Sequence, residues 1–105
     1  MRKKHRVEIA ARAEEDIVAI TAYIARDKPG AATKWAQRIA ARIRSLRHFP
    51  LRFEIIPEPI ESSVPYHHHI VGNYRIIYRV ELDLVQIVRV VHAAQLLRPR
   101  AFESK

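Results

Sequence analysis

The chain has no cysteine, only two glycines and a single tryptophan among its 105 residues. Without cysteine there is neither a disulfide nor a thiolate metal site, which fits a reducing compartment. Glycine occurs only at Gly30 and Gly72, so no glycine-rich loop is available to cradle a phosphate. No stretch approaches the roughly 18 apolar residues of a membrane span. The basic start is not followed by an apolar signal core, because Glu8, Arg12, Glu14, Glu15 and Asp16 interrupt the next segment. A soluble, cytoplasmic protein with no membrane partner is the expectation. Internal repeats and low-complexity tracts are missing too, as is any Ser/His/Asp arrangement at a recognisable spacing.

What is present is positive charge. Lys and Arg outnumber Asp and Glu by 19 to 11, giving a formal net charge of +8. Such a balance attracts nucleic acid, a ribonucleoprotein or an acidic protein. At 105 residues, 49% hydrophobic and 29% charged, the composition is that of an ordinary globular chain, and one domain over residues 1–105 is expected.

The segment that organises the chain is Tyr74-Arg75-Ile76-Ile77-Tyr78-Arg79-Val80. It alternates strictly: Tyr74, Ile76, Tyr78 and Val80 share one face of a strand, and Arg75, Ile77 and Arg79 the other. Gly72-Asn73 before it is a two-residue hairpin signal, and Tyr66 to Val71 reads as the preceding strand. Leu84 to Val91, after a polar turn at 81–83, reads as a central strand covered on both faces.

Upstream, residues 1–6 are a basic lead and Val7-Glu8-Ile9 a short first strand. Ala13, Ile17, Ile20 and Ile24 recur at helical spacing, with carboxylates in the first turns. Asp27-Lys28-Pro29-Gly30 breaks this helix, and a second is expected over 31–49, ended by Pro50. Its apolar stripe is Ala32, Trp35, Ala36, Ile39, Ile43 and Leu46; Lys34, Arg38 and Arg42 stand four apart on another face. Residues 51–65 carry three prolines and three glutamates and read as an extended surface connection. Residues 96–105 read as a flexible basic tail. The order β-α-α-β-β-β predicts a two-layer α+β domain, with a helical hairpin packed on a small, mostly antiparallel sheet.

Candidate chemistry is sparse. In the run His67-His68-His69, His67 and His69 share a strand face and His68 takes the other. Two histidines can supply half of a metal site, but nothing fixes a third ligand, so no metal and no cofactor are expected. Neutral sheet-surface residues are the simpler reading of all three. His92 ends the last strand, as a strand-end polar residue or a general acid or base. Arg75, Arg79 and Arg89 could gather on the sheet and hold phosphate or carboxylate, depending on strand register.

The pattern resembles the RelE/ParE superfamily of type II toxin–antitoxin toxins and plasmid stabilization proteins. It rests on Tyr23-Ile24-Ala25, Asp27, Pro29 and Ala31-Ala32, then Ile39, Ile43, Leu46 and Pro50. Val71 to Val80 carries it most strongly, followed by Val85, Ile87, Val90 and His92. The resemblance implies a small α+β toxin neutralised by a cognate antitoxin in a hetero-oligomer, which reaches operator DNA only through that antitoxin. ParE-type members poison DNA gyrase; RelE-type members cut mRNA on the ribosome. Many family members carry arginine where this chain has His67 to His69, and another shortly after the last-strand histidine, where Ala93, Ala94 and Gln95 stand here. The resemblance therefore favours the ParE-like branch, with Arg38, Arg42, Arg75, Arg79 and Arg89 as partner-binding residues. A RelE-like nuclease would use His68 or His69 with Arg75 and His92, Arg75 holding the scissile phosphate. A degenerate toxin that only binds antitoxin and helps repress its operon is the third reading.

Overall fold

The structure is a computed structural model that describes residues 4–98 and Phe102. Strand β1 spans Arg6–Ile9, helices α1 and α2 span Ala11–Ala25 and Pro29–Ser45, and a short 3-10 turn covers Pro50–Arg52. Strands β2, β3 and β4 cover Tyr66–Val71, Tyr74–Glu81 and Leu84–His92. The sheet order is β1-β4-β3-β2, with β1 parallel to β4 and the other pairs antiparallel. The expected β-α-α-β-β-β order and two-layer α+β architecture are therefore observed, with β3 and β4 central.

The helical hairpin covers one face of the sheet. Ala13, Ile39, Ile43 and Leu46 meet Val71, Ile76, Tyr78, Val85, Ile87 and Val90 in the main core. Each large aliphatic side chain taken out of water here stabilises by about 1.5–3 kcal/mol. The helices meet in a tighter link than expected. Pro29 does not end the break between them but opens α2, at the position where its missing N–H loses no intrahelical bond. The far end of α2 comes early, at Ser45, rather than running on towards Phe49. Arg52 folds back to donate to the carbonyls of Ser45, His48 and Phe49, which satisfies acceptors left open at the helix end.

The opposite sheet face is also covered. The 51–65 connection does not merely cross the surface: Ile56 and Glu58 are buried against it. Ile55 forms an isolated antiparallel bridge with His67, and Ile56 N–H donates to the Tyr66 carbonyl. Proline does not prevent this, because the ladder contacts avoid Pro57 and Pro59. Ile56, Tyr66, Ile77, Val91 and Leu97 make a second cluster, with Ile60, Val88 and Phe102 packed against it. Leu97 and Phe102 belong to the segment expected to be a flexible tail; Leu97 is buried and Phe102 lies 4.6 Å from the Tyr66 ring. The rest of that segment, beyond Arg98 and apart from Phe102, and residues 1–3 of the basic lead lie outside the described residues.

One irregularity positions charge. Ile77 faces Arg89 and Tyr78 faces Ile87, so Val88 is an extra residue in β4. Beyond this bulge β1 has already ended, leaving the edge of β4 short of a neighbour. Asp16 of α1 takes its place, accepting from Val90 N–H at 2.9 Å and from Arg89 Nε at 2.7 Å.

Candidate functional site

The chemistry-bearing groups of the outer sheet face converge on Arg75. Its strand position points it away from the helical hairpin, as the alternation required, but not into solvent. It is 2% exposed. Nη1 donates to Glu58 Oε1 at 3.1 Å and to His68 Nδ1 at 3.1 Å. Nη2 donates to Glu58 Oε2 and, at 2.8 Å, to the Gln95 carbonyl. The Leu97 N–H adds a bond of 3.0 Å to Glu58 Oε2. Burial alone would raise the Glu58 carboxyl, but the Arg75 and Leu97 hydrogen bonds outweigh it and hold the pKa at about 2. The result is a two-pronged, buried ion pair that pins both the 51–65 connection and the 95–97 segment to β3. Glu58 was not among the candidates read from sequence. Its signal was there: one carboxylate held between Pro57 and Pro59, whose fixed φ angles limit where it can point.

The three histidines are not the surface residues expected; all are buried. The reason is that the 53–58 segment folds over β2. His67 Nδ1 donates to the Phe53 carbonyl at 2.8 Å. His68 accepts from Arg75 at Nδ1, which leaves Nε2–H to face Glu54 Oε1 at 3.3 Å. His69 lies on the helix side of β2, stacked 3.9 Å from the Phe53 ring. Burial, reinforced by Arg42 and Arg52 nearby, lowers its pKa to about 4 and keeps it neutral. His68 and His69 thus work on opposite faces. Among the described residues, no group of three His, Asp or Glu side chains could hold a metal ion.

The remaining candidates lie apart. Arg79 donates to Gln86 Oε1 at 3.2 Å and Arg89 is taken by Asp16, so the three sheet arginines do not form one cluster. Asp16 of α1 holds Arg89 at the edge of β4, just past the bulge at Val88. His92 is exposed at the end of β4, with its Nδ1 accepting from Ala94 N–H and its ring 5.5 Å from Tyr74. Tyr74 in turn meets Trp35 edge-on at 5.2 Å. Arg38 and Arg42 are exposed on α2, and neither makes an ion pair among the described residues.

A helical hairpin on a four-stranded mixed sheet is the α+β fold that this chain shares with the solved toxin–antitoxin structures below. The chain belongs to the ParE toxin family of type II toxin–antitoxin systems: residues 7–97 match the family model described as ParE toxin of type II toxin-antitoxin system, parDE. It is 36% identical over 85 residues to Toxin RelE2 of Caulobacter vibrioides, spanning 81% of this chain and 91% of that protein. Three solved structures share the fold. The chromosomal ParDE system of P. aeruginosa matches at a TM-score of 0.70 and 19% identity, covering 86% of this chain and 97% of that one. The RelE-RelB complex of Pyrococcus horikoshii matches at 0.61 and 17%, covering 89% and 99%. The RelBE2 complex of Mycobacterium tuberculosis matches at 0.55 and 21%, covering 85% and 98%.

Proposed function

We propose that this toxin acts by binding a protein, inhibiting DNA gyrase in the ParE manner, and is neutralised by a cognate antitoxin that carries the operator-DNA contact. The observation that carries this reading is the engagement of Arg75. An arginine that is to hold a scissile phosphate must offer its guanidinium edge to substrate. Here both terminal nitrogens are bound within the fold and the side chain is 2% exposed. His92 stands exposed at the strand end, while His68 and His69 are buried on opposite faces. No open acid–base pair results. The family match supports the same branch, and the known toxin–antitoxin complexes of this fold support the antitoxin. The test is a supercoiling assay with purified gyrase, in which the toxin is expected to block supercoiling and the antitoxin complex is not. Undiminished supercoiling at excess toxin would sink this reading.

The second reading is a RelE-like, ribosome-dependent mRNA endoribonuclease. The likeness to a RelE2 toxin favours it. It requires mRNA cleavage on purified ribosomes that disappears in Arg75→Ala/His92→Ala. Growth that stays normal under strong expression would favour the degenerate toxin instead.

A further inference from the structure

The open edge of the sheet borders a strongly basic end of the molecule. β1 has a neighbour, β4, on one side only. Arg6 and Ala10 turn their N–H groups to β4 and donate to the Asp83 and Ile87 carbonyls at 2.8 Å. Direction alternates along a strand, so Val7 and Ile9 aim both N–H and C=O at the open side. His5 aims the same way, but its N–H is taken by the Arg47 carbonyl at 2.9 Å, which closes this edge at one end. The start of α1 at Ala11 closes it at the other. The open run is shorter than the roughly three residues of even a short strand, so a second chain has little to pair with here. A small molecule with one donor and one acceptor does.

A cavity of about 620 Å3 lies against these groups, a size typical of small-ligand sites. Val7, Ile9 and Ile43 give it an apolar wall. Around them stand four cations, Lys4, Arg6, Arg44 and Arg47, against one carboxylate, Glu8. Arg44 in the last turn of α2 and Arg47 just after it are both exposed, and among the described residues none of the four cations has an ion-pair partner. His5 also lines the cavity, and its Nδ1 is buried with no hydrogen-bond partner among the described residues. A buried polar atom is normally satisfied, and the open cavity is where a partner for this one can enter.

We infer that this cavity binds a purine nucleotide. The Val7 C=O and the Ile9 N–H lie next to each other on the open side, one accepting and one donating. Adenine and guanine each carry an adjacent donor and acceptor on the Watson–Crick edge, so either base pairs with both groups. The Val7, Ile9 and Ile43 side chains cover the ring, as apolar side chains do for bases read at that edge. Arg44 and Arg47 take the phosphates, which suit the two-pronged guanidinium, and Lys4 and Arg6 add charge. Glu8, the single acidic group of the lining, accepts from the ribose hydroxyls. An inorganic anion would use the arginines and leave the apolar wall and the strand edge idle. The site goes beyond the reading of the chain as a protein-binding toxin and stands or falls apart from it.

The test titrates the purified full-length toxin with ADP and GDP by calorimetry, beside pyrophosphate, adenosine and guanosine. At least one nucleotide is expected to bind roughly tenfold or more tightly than pyrophosphate and than its own nucleoside. Arg44→Glu/Arg47→Glu is expected to weaken that nucleotide at least roughly tenfold. Arg12→Glu/Arg26→Glu changes the net charge equally at exposed positions of α1 and its end, and should leave binding within about twofold. In amide NMR spectra the Val7 and Ile9 resonances should move with the nucleotide and stay in place with pyrophosphate. Circular dichroism confirms that each variant is folded. No binding, pyrophosphate or the nucleoside bound as tightly as the nucleotide, equal weakening by the α1 pair, or unmoved Val7 and Ile9 amides would each overturn the proposal. So would a short single-stranded RNA bound more tightly than the nucleotide through the same arginines. An effect on gyrase, or its absence, changes none of these readouts.

Discussion

Glu58 and His69 respond to acid in different pH ranges. The Glu58 carboxyl drops from an ordinary 4.5 to about 2 on folding, because the folded state holds the charged form between Arg75 and the Leu97 N–H. A depressed carboxylate stabilises fully above its unfolded pKa, and that stability is lost as pH falls through the folded one. The gap corresponds to about 3 kcal/mol, fully present above pH 5 and gone near pH 2. His69 drops from 6.5 to about 4, because burial and then Arg42 and Arg52 disfavour its charged form. Its neutral form is needed in the fold, so its share is complete above about pH 7 and lost between pH 6.5 and 4. Urea unfolding from pH 7 down to 3 should therefore show two successive losses. His69→Phe is expected to remove the first and Glu58→Gln the second. At neutral pH, Glu58→Ala should lose about 3–5 kcal/mol, since it strands a buried guanidinium. The sequence showed that Arg75 leaves the helix side of its strand. It did not show the burial, because that depends on a carboxylate 17 positions upstream folding over it.

At the level of elements, alternation and helical spacing were enough to place both helices, all four strands and both hairpin turns. What local patterns could not show was what lies across the sheet. The 51–65 connection reads as surface because it is rich in proline and glutamate, yet long-range contacts fold it onto β2. The bulge at Val88 is equally invisible in the largely apolar run of β4, where nothing local marks an extra residue. The β3–β4 turn is the element with most room for improvement. Leu82 sits there at φ 56°, and it is 91% exposed, so it contributes no packing to offset the strain. Leu82→Asn, suited to the left-handed region, is expected to raise stability by about 0.5–1 kcal/mol in thermal or urea unfolding. A drop in stability would mean that the turn, despite its exposure, relies on the leucine side chain.

The whole molecule is a sheet closed on both sides by unequal covers. The helical hairpin seals one face with a continuous apolar core. The other is sealed by two segments, 54–60 and 95–98 with Phe102, that meet over β3, where Arg75 and the Leu97 N–H both bind Glu58. A small domain of this kind has little surplus stability, so the second cover matters for the entire fold. Leu97 is the apolar anchor of that cover and Glu58 the polar one, and the Leu97 N–H bonds the Glu58 carboxylate. Leu97→Ala is expected to lose about 2–4 kcal/mol through lost burial and the cavity left behind. It also loosens the backbone that supplies the N–H. Glu58→Gln weakens the same junction from its other end, so the two losses should not add. A double-mutant cycle by urea unfolding is expected to give a coupling of about 0.5–3 kcal/mol between Leu97→Ala and Glu58→Gln. The same cycle run with Ile43→Val, in the core under the hairpin, should give a coupling near zero. Equal coupling to both partners would mean that the two faces of the sheet unfold as one unit, and that the ion pair does not set the outer cover apart.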